Sequence, residues 1–407
     1  MLKNRLGNFS RHIVSSGDDT SGNQSDNRYH KLVSSLGGEL LECSNGSFVK
    51  VISDFDENYF HGKFMIPERG SLPPFRRLYF ENCDDTIRLD PDKLLFFDTE
   101  TTGLGGAGTV AFLIGFGSLH KDGFQVRQYF LPDFPDEEAM LEAVREEIKP
   151  DTVLVSYNGR AFDMPILTDR MIIQRVERNL ECGDHIDLLH SVRRLYRRRL
   201  KSCTLSNVEQ NILDFHRIDD TPGYLVPPIY FDWLATDNTT QLEGVVEHNL
   251  YDIISLYFIM YHIAMVREEP AERITEPDDV LSLAKIFERR REHENVCRVL
   301  EDFDDISHSY DRYDILFLQS LAYKRSGDYE KAVALWKEIS SRSVDESFNS
   351  AVELAKFYEH KAKDFTLALE FAHHAESILP PRPADKVDIQ KRLRRLNRKI
   401  IRQSSSK

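Results

Sequence analysis

Leu94-Leu95-Phe96-Phe97-Asp98-Thr99-Glu100 runs an unbroken apolar stretch into two acids, and the fold can be worked outward from it. A short apolar run of this length suits a strand buried on both faces. TVAFLIGFG (109–117) and QVRQYFL (125–131) follow as further strand-like runs, parted by the turn residues Lys121-Asp122-Gly123, so a meander is expected. A helix opens at Pro135-Asp136-Glu137-Glu138, with acids in its first turn where they complement the helix dipole, and ends before Pro150. TVLVSYN (152–158) returns as a strand, and helical periodicity resumes after Asp163. The order βββαβα, continued by helix, describes a mixed α/β sheet.

Strand side chains alternate, so Asp98 and Glu100 project from one face toward one point. Solvated acids at a strand end would need no explanation. These two follow a fully apolar run, however, and burial makes their ionisation costly unless a cation sits between them. Asp163 falls where a strand ending at Asn158-Gly159 gives way to a helix, and Asp252 lies in EHNLYDIISLYF, whose apolar residues form a helical stripe. His248, four residues before Asp252, shares nearly the same helical face. A lone helical histidine is commonly just a satisfied polar residue; one turn from a metal ligand it becomes a candidate base.

DTETTGL (98–104), NGRAFD (158–163) and HNLYD (248–252), in that order, resemble the three motifs of the DEDD-type exonucleases of the DnaQ-like, ribonuclease-H-like superfamily, most closely its YprB-like branch. The resemblance also takes in residues 98–117, 186–209 and 217–234, and spans about Gly37 to His262. It implies a ribonuclease-H-like α/β domain and a 3′–5′ exonuclease hydrolysing phosphodiester bonds. It also implies that Asp98, Glu100, Asp163 and Asp252 are the four acidic ligands of two divalent cations, magnesium or manganese. Such hard ions take oxygen ligands and sit ~4 Å apart across the scissile phosphate. His248 would orient or deprotonate the attacking water, since an unperturbed imidazole titrates near ~6.5. Three residues separate His248 from Asp252, the spacing of the tyrosine branch rather than the histidine branch.

Gly103-Leu104-Gly105-Gly106-Ala107-Gly108 also matches the G-x-G-x-x-G dinucleotide fingerprint. A dinucleotide site needs those glycines to turn directly into a helix, and a strand-like run follows instead. The glycines better serve close approach of a nucleotide end. Expected substrate contacts are therefore Thr101, Thr102, Gly103, Leu104 and Asn158. RRLYRRRLK (193–201) would add a cationic helix face in which Arg194, Arg197 and Arg198 pair with phosphates and Tyr196 stacks on a base; a solvated face paired with acids is the alternative. Asp187 could support the site from behind the ligands or cap the next helix, and Glu209 has no assigned role.

The 407 residues suit two to three domains, and a net charge of −14 excludes binding to nucleic acid or anionic membrane by bulk charge. The cysteines Cys43, Cys83, Cys182, Cys203 and Cys297 are scattered without paired spacing, which fits a reducing cytoplasm. The N-terminus lacks an apolar signal core, and the apolar stretch 253–266 is too short to span a bilayer, so no membrane association is expected. Residues 1–30 read as a disordered tail, 31–90 as a β-rich N-terminal extension, 91–268 as the ribonuclease-H-like domain, and 278–402 as all-α. LAYKRSGDYEKAVALW (321–336) and FYEHKAKDFTLALEFA (357–372) repeat about 36 residues apart, with a weaker copy near 281–300. A tetratricopeptide-like solenoid is expected there, with a protein partner; the basic C-terminal run 391–402 would be its frayed cap. The competing function is a catalytically inactive nucleic-acid-binding or scaffold protein acting through those repeats.

Overall fold

The run at 94–97 is buried as its composition requires, with Phe96 and Phe97 fully out of solvent, because it lies in the interior of a seven-stranded sheet. The computed structural model describes residues 24–75, 88–103, 105, 106, 108–121, 123–176, 182–301, 312–342, 346–378 and 383–404. The chain divides into two compact units between Glu269 and Pro270.

In chain order the first unit holds helix α1 (Gln24–Leu36) and strands β1 (Glu39–Cys43), β2 (Gly46–Phe55), β3 (Phe60–His61) and β4 (Phe64–Met65). β5 (Leu94–Thr101), β6 (Ala111–His120) and β7 (Gly123–Phe130) follow, then α2 (Glu137–Glu147), β8 (Val153–Ser156), α3 (Asp163–Ile173) and β9 (Asp184–Asp187). α4 (Leu188–Tyr196), α5 (Leu205–Val208), α6 (Val226–Thr236) and α7 (Leu242–Glu268) complete it. The sheet order is β1-β2-β7-β6-β5-β8-β9. β5 is antiparallel to β6 and parallel to β8, and β8 is parallel to β9. The carboxyl ends of β5, β8 and β9 therefore lie at one edge, where the sheet changes from antiparallel to parallel; crevices at such ends are where open α/β sheets bind ligands.

Three expectations change. The tail expected to reach residue 30 gives way at Gln24 to α1, because Leu32 and Leu36, one turn apart, are buried in the core. Arg28 stacks over Trp233 and pairs with Asp133 at 2.9 Å, and Tyr29 donates to Asp136 at 2.5 Å, so the polar first turns are anchored too. Residues 1–23 of that tail lie outside the described residues. The N-terminal strands are no separate extension: β2 pairs along Val49–Phe55 with β7, placing β1 and β2 in the main sheet. The apolar stretch expected to be short belongs to α7, a 27-residue helix long and apolar enough to cross a membrane by length and composition; its most apolar stretch is 83% buried in this domain.

The second unit is helical: α8 (Pro270–Arg273), α9 (Pro277–Arg289), α10 (His293–Glu301), α11 (Arg312–Ser326), α12 (Tyr329–Ser340), α13 (Ser347–Phe357), α14 (Phe365–Ser377) and α15 (Pro383–Ser404). From α9 to α15 each helix packs on the next. The similar stretches 321–336 and 357–372 each cover the corner between two helices, α11 to α12 and α13 to α14. Ala351, Ala355, Ala368, Ala372 and Ala375 are all fully buried between α13 and α14, where small side chains let helices approach closely. The basic run 391–402 lies within α15 and is tied down rather than frayed: buried Glu359 accepts from Arg392 (2.6 Å), Arg395 (2.7 Å) and Lys399 (2.8 Å).

Candidate active site

β5 carries Asp98 and Glu100 out of the apolar run on the face covered by α7, where Phe96 meets Tyr257 edge to face. α7 lies flush on β6 because Gly115, the register partner of Asp98, has no side chain. A Cβ there would stand 2.0 Å from Ile253 Cδ1 and 2.4 Å from Asn249 Oδ1. That close seat lets Asn249, fully buried, donate to Asp98 Oδ2 at 2.9 Å while its own Oδ1 accepts from Gln128 at 2.9 Å. Asp163 opens α3 and accepts from the hydroxyl of Thr99, the residue between the two β5 acids. The turn before α3 needs Asn158 at φ 67° and Gly159, where a Cβ would come within 2.7 Å of Ser156. The Asn158 amide donates to Asp187 Oδ1 at 2.8 Å, and the same oxygen caps α4 through Leu189 at 3.1 Å. Asp187 thus serves both roles left open for it.

α7 supplies the remaining acid from the other side. Asp252 Oδ1 is held by Arg217, whose guanidinium also grips Glu209 through Nη2 at 2.5 Å and Nε at 2.9 Å. Arg217 is 6% exposed and Glu209 only 1%, so this is a buried pair directly behind a site acid. Ser255 donates to Glu209, and Ser255 meets His61 Nε2 at 2.7 Å. Tyr59 meets the other His61 nitrogen at 3.1 Å, so the small β3–β4 hairpin backs the pair from the N-terminal segment. His248 faces Asp220 with Nδ1, at 2.8 Å, and Asp252 Oδ2 and Glu100 Oε1 with Nε2, at 3.6 and 3.9 Å.

The electrostatics follow from this crowding. Burial, then repulsion from Asp252, Asp163 and Glu100, holds the Asp98 carboxyl well above the usual carboxylate range against the Asn249 hydrogen bond. Burial chiefly raises Glu100 to about 8, with His248 opposing and Asp252 and Asp163 adding to the rise. Burial lifts Asp163 to about 6 against the Thr99 hydrogen bond. Burial alone would lower His248, but the Asp220 hydrogen bond and the charges of Asp252 and Glu100 outweigh it and raise the imidazole to about 9. Without a cation the surrounding carboxylates favour the protonated imidazole over the ordinary one expected from sequence. Buried oxygen donors that repel one another are what a hard divalent cation requires, so this donor set fits magnesium or manganese. Glu100, His248 and Asp252 each bring a ligand atom within 4.8 Å of the other two.

Asp98, Glu100, Asp163, Asp252 and His248 are thus drawn into one neighbourhood, as each feels the charge of others in the set. The expected substrate contacts differ. Thr101 donates its hydroxyl to the Gly103 carbonyl at 2.7 Å and Thr102 accepts from Val110 at 3.0 Å, so both hydroxyls shape their own loop. Leu104 lies outside the described residues. Asn158 is exposed at its turn, and Arg194, Arg197 and Arg198 are exposed on or just after α4. The helix expected through Lys201 ends at Tyr196, because Leu195, Tyr196 and Leu200 are all drawn into the core. Tyr196 is correspondingly unable to stack on a base: it is 2% exposed and its hydroxyl meets His262 at 2.6 Å. Arg217, Asn249 and Asp220 are the site residues that motif reading passed over. Asn249 stood inside HNLYD, and Arg217 and Asp220 inside the quoted stretch 217–234.

A ribonuclease-H-like domain is defined by this sheet and its acid-bearing strand ends, and residues 95–264 match the family model of the RNase_H superfamily. Membership of that superfamily suggests nuclease-type hydrolytic chemistry on nucleic acid. The chain is 36% identical over 316 residues to the uncharacterized protein YprB of Bacillus subtilis (strain 168), covering 76% of this chain and 75% of that protein. It belongs to the YprB-like family of ribonuclease-H-like proteins.

Proposed function

We propose that this chain is a metal-dependent 3′–5′ exonuclease of the DEDD type. The observation that carries the reading is the convergence of Asp98 and Glu100 on β5 with Asp163 on α3 and Asp252 on α7, half-buried to buried and close enough to repel one another. These carboxylates would hold two divalent cations, magnesium or manganese. Bound there, the cations supply charge neutralisation at the scissile phosphate and a reactive water at neutral pH.

The chain's own residues then divide the work. Asn249 and Thr99 fix Asp98 and Asp163 by hydrogen bonds, and Arg217 fixes Asp252. The segment from Thr101 to Gly103 and the turn at Asn158 adjoin the acids in the chain and would receive the strand end, with Leu104 as a further expected contact. Arg194, Arg197 and Arg198 would pair with phosphates further along the strand; Arg193 on the same face is close enough to influence Tyr157, next to Asn158. In this reading α9 to α15 form tetratricopeptide-like repeats that bind a partner protein, and the protein works in the cytoplasm.

The test is incubation of the purified full chain with single-stranded and duplex DNA and RNA, labelled at either end, in magnesium, manganese or chelator. Metal-dependent ladders that shorten from the 3′ end are expected, abolished by Asp98→Asn or Asp163→Asn. Either variant turning over at the wild-type rate would overturn the assignment.

A further inference from the structure

His248 is fixed from one ring nitrogen and faces the site acids with the other. Its Nδ1 lies 2.8 Å from Asp220 Oδ1, a contact that requires the proton on Nδ1. Arg217 Nη1 also lies 3.2 Å from Nδ1, but two donors cannot share that atom. The guanidinium has the His248 carbonyl at 3.4 Å and Asp220 Oδ1 at 3.6 Å instead, so the shorter carboxylate contact sets the tautomer. A cation that displaces the second proton would meet the lone pair on Nε2, which looks at Asp252 Oδ2 at 3.6 Å and Glu100 Oε1 at 3.9 Å.

Both distances exceed hydrogen-bond length. They match two donors on a common ion: ligand atoms ~2.1 Å from a metal lie ~3.0 Å apart at right angles, ~3.4 Å at the tetrahedral angle and ~4.2 Å when opposed. Asp252 is turned for this task, since Arg217 occupies Oδ1 and leaves Oδ2 facing His248. A carboxylate on the far nitrogen of a metal-binding histidine fixes the ring and strengthens the ligand, which is the position Asp220 takes.

We propose that Glu100, His248 and Asp252 form a mixed oxygen and nitrogen site for one transition-series divalent cation, with Asp220 and Arg217 as positioning residues. The inference rests on the acids being a metal centre, and it makes His248 a ligand rather than a base. Imidazole suits transition ions, whereas magnesium favours an all-oxygen shell, so the site prefers manganese to magnesium.

Manganese binding to the full chain, without substrate, tests this by electron paramagnetic resonance and by the nitrogen-14 modulation of its spin echo. Wild-type protein should show that modulation and bind manganese ~10-fold or more tightly than magnesium. His248→Ala should lose the modulation and at least ~10-fold in manganese affinity, with magnesium affinity nearly unchanged; Asp220→Asn, which leaves the imidazole in place, should keep the modulation and bind ~10-fold more weakly. Thermal melts confirm that each variant is folded, and the Asp220→Asn arm stands should His248→Ala fail to fold. Manganese bound without nitrogen modulation, or with an affinity indifferent to both substitutions, overturns the inference and leaves the acids as an all-oxygen centre. Wild-type protein that binds neither ion overturns the metal centre itself.

Discussion

Glu100→Gln should stabilise the metal-free protein while removing a metal ligand. The Glu100 carboxyl is raised from 4.5 to about 8 by burial and by Asp252 and Asp163. Below pH 4.5 it is protonated in both the folded and the unfolded chain and costs nothing. Between 4.5 and about 8 the unfolded chain releases a proton that the folded chain retains, so stability falls as pH rises, and above about 8 the penalty is constant. At ~1.4 kcal/mol per pH unit the loss by neutral pH is about 3 kcal/mol, which glutamine, neutral and of the same shape, avoids. For a domain of this size that is a rise in Tm of ~6–12 °C. The assay is thermal melting of wild type and variant in chelator at pH 4 and pH 8. The two should melt together at pH 4, with the variant higher at pH 8. Added manganese should then raise wild type more than the variant, by ~2.7 kcal/mol at a hundred times the dissociation constant. A variant that melts at or below wild type at pH 8 in chelator would refute the claim that burial and the neighbouring acids penalise the Glu100 carboxylate in the folded protein.

Arg217→Met should destabilise by ~3–5 kcal/mol, measured by urea unfolding, because it strands the buried Glu209 carboxylate; adding Glu209→Gln should recover much of the loss. Gly115→Ala should cost ~1–3 kcal/mol in the same assay and reduce nuclease rate, because the new Cβ collides with Ile253 and Asn249 and shifts the amide that holds Asp98. Replacing Arg194, Arg197 and Arg198 together by Gln should weaken nucleic-acid binding and flatten its dependence on salt by up to ~0.9 in log–log slope per lost phosphate contact, with turnover at saturation kept; an unaltered slope in a binding titration would make the face a solvated one.

What could be read from sequence was local or carried by a motif. The parity of Asp98 and Glu100, the buried run before them and the junction at Asp163 all depend on neighbours within a few residues, and each is found in the fold. The similar stretches in the helical half fall on helix corners for the same reason. What escaped was set by distant partners. β2 joins the main sheet through β7, about 75 residues on, and nothing in its alternating pattern names that neighbour. Tyr196 sits among arginines in sequence, yet its ring turns inward to the core, where its hydroxyl meets His262, 66 residues away. Arg217 lies in a loop with no periodicity, so only the approach of Glu209 and Asp252 reveals it.

The dependence of the site on α7 explains why these long-range contacts matter. An isolated apolar helix of this length would resemble a membrane span, but α7 interrupts its apolar surface with His248, Asn249, Asp252 and Ser255, all within two turns. Those polar groups are fixed by one seating event, the close approach over Gly115 and Gly117, where a Cβ would strike Ile253 from either position. Sliding or tilting the helix would separate Asn249 from Asp98 and Asp252 from Arg217 together, since Asn249 and Asp252 are borne on the same rigid element. The buried chain from Tyr59 through His61, Ser255 and Glu209 to Arg217 opposes that movement from the far side. The acids of β5 can therefore be held close despite their repulsion, because the packing that fixes α7 is distributed over the sheet and the N-terminal hairpin rather than left to the site itself.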